Sequence, residues 1–268
     1  LTATPERMDN KDVYSICDYN VAYEMRLKEA IGRGELVPFD YYGIYDETVN
    51  YDNIEFRNGK YNEKSLEEAL KISKRANLIL KHYMKFKTKR ALGFCTSKSH
   101  AEYMAKYFSE NGVESVAVYS GEQGENTERR DEAIKNLNLG KIKIIFSVDM
   151  FNEGLDIPSI DMVLFLRSTQ SSTVFLQQLG RGLRKSEDKT VLKVLDFIGN
   201  YKKANLIPFL LSGKPYSKTE LLTKKLTEFE YPEDCHIDFD FNIIDIFKVQ
   251  ASREISIKEI IFEEFIRI

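Results

Sequence analysis

Between residues 91 and 211 the sequence alternates between short apolar segments and longer amphipathic ones, and this alternation most restricts the possible fold. Short apolar strands that alternate with helices are typical of a parallel sheet covered by helices on both faces. The strands are predicted at residues 91–95, 115–119, 142–148, 162–166 and 191–197. The helices are predicted at residues 98–111, 127–139, 173–183 and 201–211. We therefore predict an α/β fold built on a parallel sheet.

The flanking regions extend this pattern on one side and interrupt it on the other. A strand is predicted at residues 37–45, and a recurrent apolar stripe predicts one long helix at residues 65–86. After Pro215 the alternation stops. The remaining sequence combines a predicted helix, an acidic aromatic stretch and a helix-like piece, at residues 218–229, 231–241 and 255–268. We interpret residues 37–215 as one α/β domain and residues 216–268 as the start of a C-terminal helical module.

Composition excludes several classes of protein. The chain has 268 residues, 43% hydrophobic and 30% charged, as in ordinary globular proteins. No apolar run approaches the roughly 20 residues that a membrane span needs, so we expect no membrane partner. The three cysteines are scattered and form neither a metal pattern nor a disulfide framework, which favours a cytoplasmic location. The net charge of −3 lacks the basic excess of a protein that coats nucleic acid, so any such binding must be local.

Hydroxyl, glycine and carboxylate side chains lie at several predicted strand ends, where parallel sheets bind ligands. Thr96 follows one strand and precedes a helix, a position that suits a phosphate contact or simple N-capping. Ser147 begins the loop after another strand. In that loop Gly154 allows a tight turn, and Asp156 is available to a ribose hydroxyl, to an arginine or as a turn cap.

The segment from Phe175 to Arg184 reads F-L-Q-Q-L-G-R-G-L-R and carries two arginines, Arg181 and Arg184. If the segment is helical, a spacing of three places both on one helix face. Arginine is always charged and presents planar donors that match phosphate oxygens, so the pair could hold a polyphosphate during its cleavage. The alternative is a helix end whose arginines face only the helix dipole or a carboxylate.

Four segments occur in fixed order: L-T-A-T-P at Leu1, G-F-C-T-S at Gly93, N-E-G-L-D-I-P at Asn152 and Q-Q-L-G-R-G-L-R at Gln177. Together they resemble motifs III to VI of superfamily II helicases. In detail, the sequences of these segments resemble those of the DEAD/DEAH-box bacterial helicases related to type III restriction subunits. The resemblance covers residues 1–211 and implies the second RecA-like domain of a two-domain motor, followed by a partial helical extension.

The resemblance also implies roles for individual residues. Two arginines would reach the γ-phosphate of ATP, and three further residues would contact or couple to the nucleotide. Three more residues would touch the nucleic-acid backbone. The residues implied to reach the γ-phosphate are Arg181 and Arg184. Those implied to contact or couple to the nucleotide are Gln177, Gly154 and Asp156, and those implied to touch the nucleic-acid backbone are Thr96, Gly121 and Ser147.

Two helicase motifs do not occur in these residues. No G-x-x-x-x-G-K-[ST] forms a P-loop, and no D-E-x-[HD] is present to hold Mg²⁺. We therefore expect a C-terminal half whose residues 1–36 are a remnant of the first motor domain and a linker helix. ATP and Mg²⁺ would bind mostly to the missing N-terminal RecA-like domain, a second partner beside the nucleic acid. The chain alone is expected to hold no cofactor and to be inactive.

Three alternatives to a DNA helicase or translocase stay open at this point. The first is an RNA helicase, because loops that contact the backbone distinguish the two sugars poorly. The second is an inactive RecA-like scaffold or binding domain. The third, a dinucleotide-binding enzyme, is disfavoured because no G-x-G-x-x-G follows a predicted strand.

Overall fold

The computed structural model describes residues 18, 20, 25, 27–57, 60–86, 88–120, 124, 127–148, 159–168 and 172–253. The strands are β1 (Phe39–Tyr45), β2 (Phe56–Arg57), β3 (Lys60–Tyr61), β4 (Ala91–Phe94), β5 (Ser115–Val118), β6 (Ile144–Ser147), β7 (Met162–Phe165), β8 (Leu192–Ile198) and β9 (His236–Phe239). The helices are α1 (Leu27–Gly32), α2 (Glu63–Leu70), α3 (Ser73–Met84), α4 (Lys98–Glu110), α5 (Arg130–Asn138), α6 (Ser172–Gly182), α7 (Ile207–Ser212), α8 (Lys218–Thr223) and α9 (Phe241–Arg253).

The main sheet of the described chain has seven strands in the order β5-β6-β4-β7-β8-β1-β9. Every neighbouring pair is parallel. β2 and β3 form a separate antiparallel hairpin. The predicted parallel α/β sheet is confirmed.

Helices cover both faces of this sheet, because the buried strands are apolar on both sides. In β7, Met162 and Leu164 enter a core cluster with residues of α3 and α4, whereas Val163 and Phe165 enter a second cluster with residues of α5 and α6. The second cluster also takes in buried residues of α7, α8 and α9. This two-sided burial explains why the strands read as continuous apolar runs rather than alternating ones.

The long helix expected at residues 65–86 is two helices, with Lys71 and Ile72 between them. Ile72 is in the extended region (φ −108°, ψ 139°), so the chain changes direction there. Leu70 of α2 packs in one core cluster and Ala76 of α3 in the other. A straight helix cannot supply both clusters, and tertiary packing therefore overrides the continuous apolar stripe.

The region after residue 215 differs from the sequence prediction in its middle. The acidic aromatic stretch, residues 231–241, contains β9, which pairs with β1 as an edge strand and was not predicted. It is followed by α9, for which no helix was predicted. The helix-like piece expected at residues 255–268, and the segment L-T-A-T-P, lie outside the described residues. No helix in the described part of the chain has the length and apolar character of a membrane span.

Candidate functional site

The two arginines lie at the amino-terminal margin of the sheet. The backbone N–H of Val37, just before β1, donates to the carbonyl oxygen of Leu183 (2.9 Å). Arg184 forms an antiparallel bridge with Leu36. Because α6 starts after the end of β7, it runs from the carboxyl margin back to the amino margin. We call residues 181–184 the arginine turn.

The arginine turn is not wholly helical. α6 ends at Gly182, so Arg184 lies beyond it and the expected helical spacing does not relate the two arginines. The side chain of Arg184 is exposed, and that of Arg181 is half-buried. Gln177, also half-buried, lies midway along α6, about one helical turn before Arg181. The chain thus presents an exposed guanidinium from an extended segment.

A buried lysine that sequence reasoning missed closes the arginine turn. Lys189 is 8% exposed. Its Nζ donates to the carbonyl oxygen of Gly182 and to that of Arg184, the latter at 2.9 Å. The sequence places Lys189 in a polar run typical of a surface loop, and nothing in that pattern signals burial.

Thr96 and Ser147 lie together at the opposite, carboxyl margin. The backbone N–H of Cys95 donates to the carbonyl oxygen of Ser147 (2.8 Å). Thr96 Oγ1 and Ser147 Oγ are both buried and have no hydrogen-bond partner among the described residues. Buried hydroxyls are normally paired, so this margin has unused hydrogen-bonding capacity. A phosphate could reach these oxygens only after neighbouring chain moves.

His100 adds a third buried polar group beside them. Burial lowers the pKa of His100 well below its ordinary value, and the charges of Arg75 and Lys71 lower it further, so the ring is neutral. The backbone N–H of Thr96 donates to His100 Nδ1 (3.4 Å). The ring hydrogen therefore belongs on Nε2, which is buried without a partner among the described residues.

A buried ion pair ties strand ends together at the same margin. Arg75 Nε lies 2.7 Å from Asp46 Oδ2, with side-chain exposures of 1% and 0%. Arg75 Nη2 also donates to the carbonyl oxygen of Leu166 (3.1 Å). Asp46 follows β1 and Leu166 follows β7, so one guanidinium joins two strand ends. The two residues are 29 positions apart in sequence, and no local motif predicts that they pair.

The start of α4 uses its hydroxyls within the chain. Ser97 Oγ accepts from the backbone N–H of His100 (3.1 Å), which is the capping alternative. Lys71 Nζ donates to Ser99 Oγ (2.6 Å) and lies 3.0 Å from Glu67 Oε1. Burial alone would raise the pKa of Glu67, but hydrogen bonds from Ser97 and Lys71 lower it. A carboxylate therefore already occupies this helix start.

The remaining candidates lie outside the described residues: Gly121, Gly154 and Asp156. Nor does the described part of the chain bring three or more His, Cys, Asp or Glu residues together as metal ligands. The described residues thus fit a phosphate through arginine donors but offer no set of ligands for Mg²⁺. The two margins are separated by the length of seven-residue β1, about 20 Å.

Comparison with known proteins agrees with this architecture. Residues 71–186 match the family model of the helicase conserved C-terminal domain. A 51.5 kDa protein of a Lactococcus phage is 26% identical over 201 residues, which cover 75% of this chain and 43% of the phage protein. IRC3 of Saccharomyces cerevisiae, assigned by name to the ATP-dependent helicases, is 26% identical over 203 residues, or 74% of this chain and 29% of IRC3.

A solved structure shares the fold. It is a fragment assigned by its name to the HsdR subunit of a type I restriction enzyme of Vibrio vulnificus, with a TM-score of 0.58 and 21% identity. The likeness covers 88% of this chain and 42% of that one. The chain thus spans less than half the length of the relatives it matches. The match at residues 71–186 and the parallel sheet together show that the chain carries a region similar to the helicase conserved C-terminal domain, on a RecA-like fold.

Proposed function

We propose that this chain supplies the second motor domain of an ATP-dependent helicase or translocase that acts on nucleic acid, with DNA as the expected substrate. Residues 37–215 are the motor domain of this proposal, and residues 216–268 begin an additional module whose described part packs on the same sheet through β9 and α9. The observation that carries the proposal is the arginine turn, which presents exposed Arg184 at the sheet margin opposite Thr96 and Ser147. A motor needs such separate surfaces for nucleotide and nucleic acid.

At the arginine turn, the chain's own contribution is charge and geometry. The guanidinium groups of Arg181 and Arg184 would donate to the γ-phosphate oxygens of an ATP held by the first motor domain. They would stabilise the negative charge on those oxygens as the terminal phosphoryl group leaves. Gln177, Gly154 and Asp156 are assigned to the nucleotide by motif position. Mg²⁺ would be held by acidic residues outside the described chain.

The nucleic acid is assigned to the carboxyl margin, through Thr96, Gly121 and Ser147. The unused hydroxyls of Thr96 and Ser147 support this placement, once the margin opens around a phosphate. DNA is proposed because the motif wording resembles the helicases related to restriction subunits. Phosphate contacts alone do not exclude RNA, since both polymers present the same backbone anion. A cytoplasmic location is part of the proposal and rests on the scattered cysteines.

The decisive experiment is Arg184→Ala in the longer protein that contains this chain and a P-loop. We expect kcat for nucleic-acid-stimulated ATP hydrolysis to fall on the order of 10³-fold, because the arginine acts on the transition state. The melting temperature should change little, since Arg184 is exposed. Arg184→Lys should restore little turnover, because lysine keeps the charge but loses the planar fork.

The matched control is Lys185→Ala, which removes a neighbouring exposed cation. It should leave kcat within about twofold, because no transition-state contact is lost. Binding of single-stranded DNA and RNA without ATP should be the same in both variants and the parent. Unchanged turnover in Arg184→Ala would overturn the arginine assignment. A parent protein without ATPase activity would favour the scaffold alternative, and stimulation by RNA alone would replace DNA as the substrate.

A further inference from the structure

We propose that Lys189 is a positioning residue that holds the arginine turn in the geometry needed to meet a phosphate. This inference rests on the proposed function, because it concerns how Arg184 is aimed. Nothing in the helicase motifs assigns a role to Lys189. The argument depends on where its ammonium group lies and on what it bonds.

The Lys189 side chain is buried within the fold, with 8% exposure. A lysine is rarely buried unless its ammonium group is used, because removing the charge from water is costly. Here Nζ donates to the carbonyl oxygens of Gly182 and Arg184. These two carbonyls lie on either side of Leu183, so one ammonium group bridges the residues through which the chain leaves α6.

The last carbonyls of a helix lack intrahelical donors and usually face water. In the arginine turn, three consecutive carbonyls have donors from elsewhere in the chain. Lys189 serves Gly182 and Arg184, and the backbone N–H of Val37 serves Leu183 (2.9 Å). The peptide planes on both sides of Leu183 are therefore fixed, and with them the direction in which the Arg184 side chain leaves the backbone.

The backbone of Lys189 lies in a turn that leads into β8. Its backbone N–H donates to the carbonyl oxygen of Ser186 (3.0 Å), which closes a turn just before β8. The first residue of β8, Leu192, donates to the carbonyl oxygen of Pro38 (3.0 Å). The ammonium group of Lys189 thus links the arginine turn to the loop that leads into β8. Such rigidity matters because a misplacement of about 1 Å at a reacting group can reduce the rate on the order of 10²-fold.

A simpler role would be to cap the C-terminus of α6 and stabilise the fold. The two roles differ in how Lys189 and Arg184 interact. A cap contributes to stability whether or not Arg184 is present. A positioning residue affects turnover only through the arginine that it positions, so its effect on kcat disappears once that arginine is removed.

The test compares Lys189→Met, Arg184→Ala and the double variant in the longer protein. Lys189→Met keeps the length of the side chain but removes the donors. We expect kcat to fall on the order of 10²-fold at a temperature well below melting. The affinity for single-stranded DNA without ATP should be unchanged. The double variant should be no slower than Arg184→Ala alone, and Lys185→Met should resemble the parent.

Each outcome bears on one claim. If the decreases in kcat of the two single variants add in the double variant, Lys189 acts only as a helix cap. The same conclusion holds if the decrease in kcat of Lys189→Met merely equals the fraction of protein that is unfolded. If Lys189→Met does not fold, Lys189→Arg replaces it, since that variant keeps the charge but cannot place the same donors. It should also lower kcat without changing DNA affinity, and full activity would overturn the inference. An active Arg184→Ala would instead refute the proposed function.

Discussion

At the residue scale, a buried carboxyl group within the sheet has a raised pKa. Asp196 of β8 is 0% exposed, and its Oδ2 accepts from the hydroxyl of Tyr41 on neighbouring β1 (2.6 Å). Burial raises the pKa of Asp196 to about 7, although the Tyr41 hydrogen bond lowers it. Oδ1 has no partner among the described residues and is free to carry the proton. The folded chain therefore holds a proton that an unfolded aspartate, with a pKa of about 3.9, releases earlier.

This difference predicts how stability depends on pH. Between about pH 4 and pH 7 the unfolded state binds fewer protons at Asp196 than the folded state, so the Asp196 contribution to stability falls as pH rises. The maximum slope for one group is about 1.4 kcal/mol per pH unit. Asp196→Asn removes this titration and keeps an acceptor for Tyr41.

Urea unfolding of the parent and Asp196→Asn at pH 5, 6 and 7 measures the effect. The stability of the parent minus that of the variant should decrease as pH rises. Taking this difference cancels the pH dependence that other groups give to both proteins. One such group is His100, whose lowered pKa makes the folded chain less stable as pH falls below about 6.5. A difference that is constant with pH would show that Asp196 is ionised throughout.

At the same scale, the sequence was informative only where a motif is local. Arg181 and Arg184 could be selected because a contiguous pattern surrounds them, and Thr96 because it follows a recognisable strand. The partners that fix these regions could not be selected. Lys189 is buried by the fold, and the Arg75–Asp46 pair joins residues 29 positions apart. Such contacts depend on how strands order themselves in the sheet, which spacing alone does not determine.

At the scale of a single element, α6 contains two glycines with different surroundings. A Cβ on Gly182 would lie 2.7 Å from Leu192 Cδ2 and 3.0 Å from Val163 Cγ2, both in the buried core. A Cβ on Gly180 would have no atom within 4 Å. Gly182 therefore allows the end of α6 to pack closely on β7 and β8, whereas Gly180 has no such packing role.

Gly182→Ala should destabilise the chain by about 1–3 kcal/mol, because the methyl group overpacks a closed core. Gly180→Ala is the matched control in the same helix. It should stabilise by up to about 1 kcal/mol, because alanine is the better helix former. Denaturant unfolding of both variants gives the two values. If Gly182→Ala and Gly180→Ala were equally stable, α6 would be able to shift away from the sheet at no cost. The inference that the arginine turn has a fixed position would then be weakened.

Elements were predicted well where burial is two-sided and poorly where it depends on one partner. The strands of the central sheet are apolar on both faces, so each was recognisable before the fold was known. β9 reads H-I-D-F, with alternating exposure, and is a strand because it pairs with β1. The break between α2 and α3 likewise follows from packing on two core clusters rather than from a helix-breaking residue.

At the scale of the whole molecule, the chain after residue 215 is attached to the sheet by several contacts. Phe239 of β9 lies over Gly43, where an added Cβ would be 2.6 Å from its ring. Phe247 of α9 is 1% exposed, with its ring centroid 5.6 Å from that of Phe239. Gln250 donates to the carbonyl oxygen of Tyr201 (2.7 Å). These contacts favour one cooperative unit that includes β9 and α9.

Phe247→Ala tests this cooperativity, because it removes a buried ring that joins α9 to β9 and the core. Loss of such a ring typically costs 3–5 kcal/mol. If the residues after 215 and the sheet unfold together, Phe247→Ala should lower the melting temperature of the whole chain and leave a single transition. Circular dichroism and tyrosine fluorescence measure this transition. Phe241→Ala is the control, since Phe241 lies in the same helix but is 75% exposed, and it should change little. Two transitions, with only the first shifted by Phe247→Ala, would show instead that residues after 215 form a separate module that merely rests on β1.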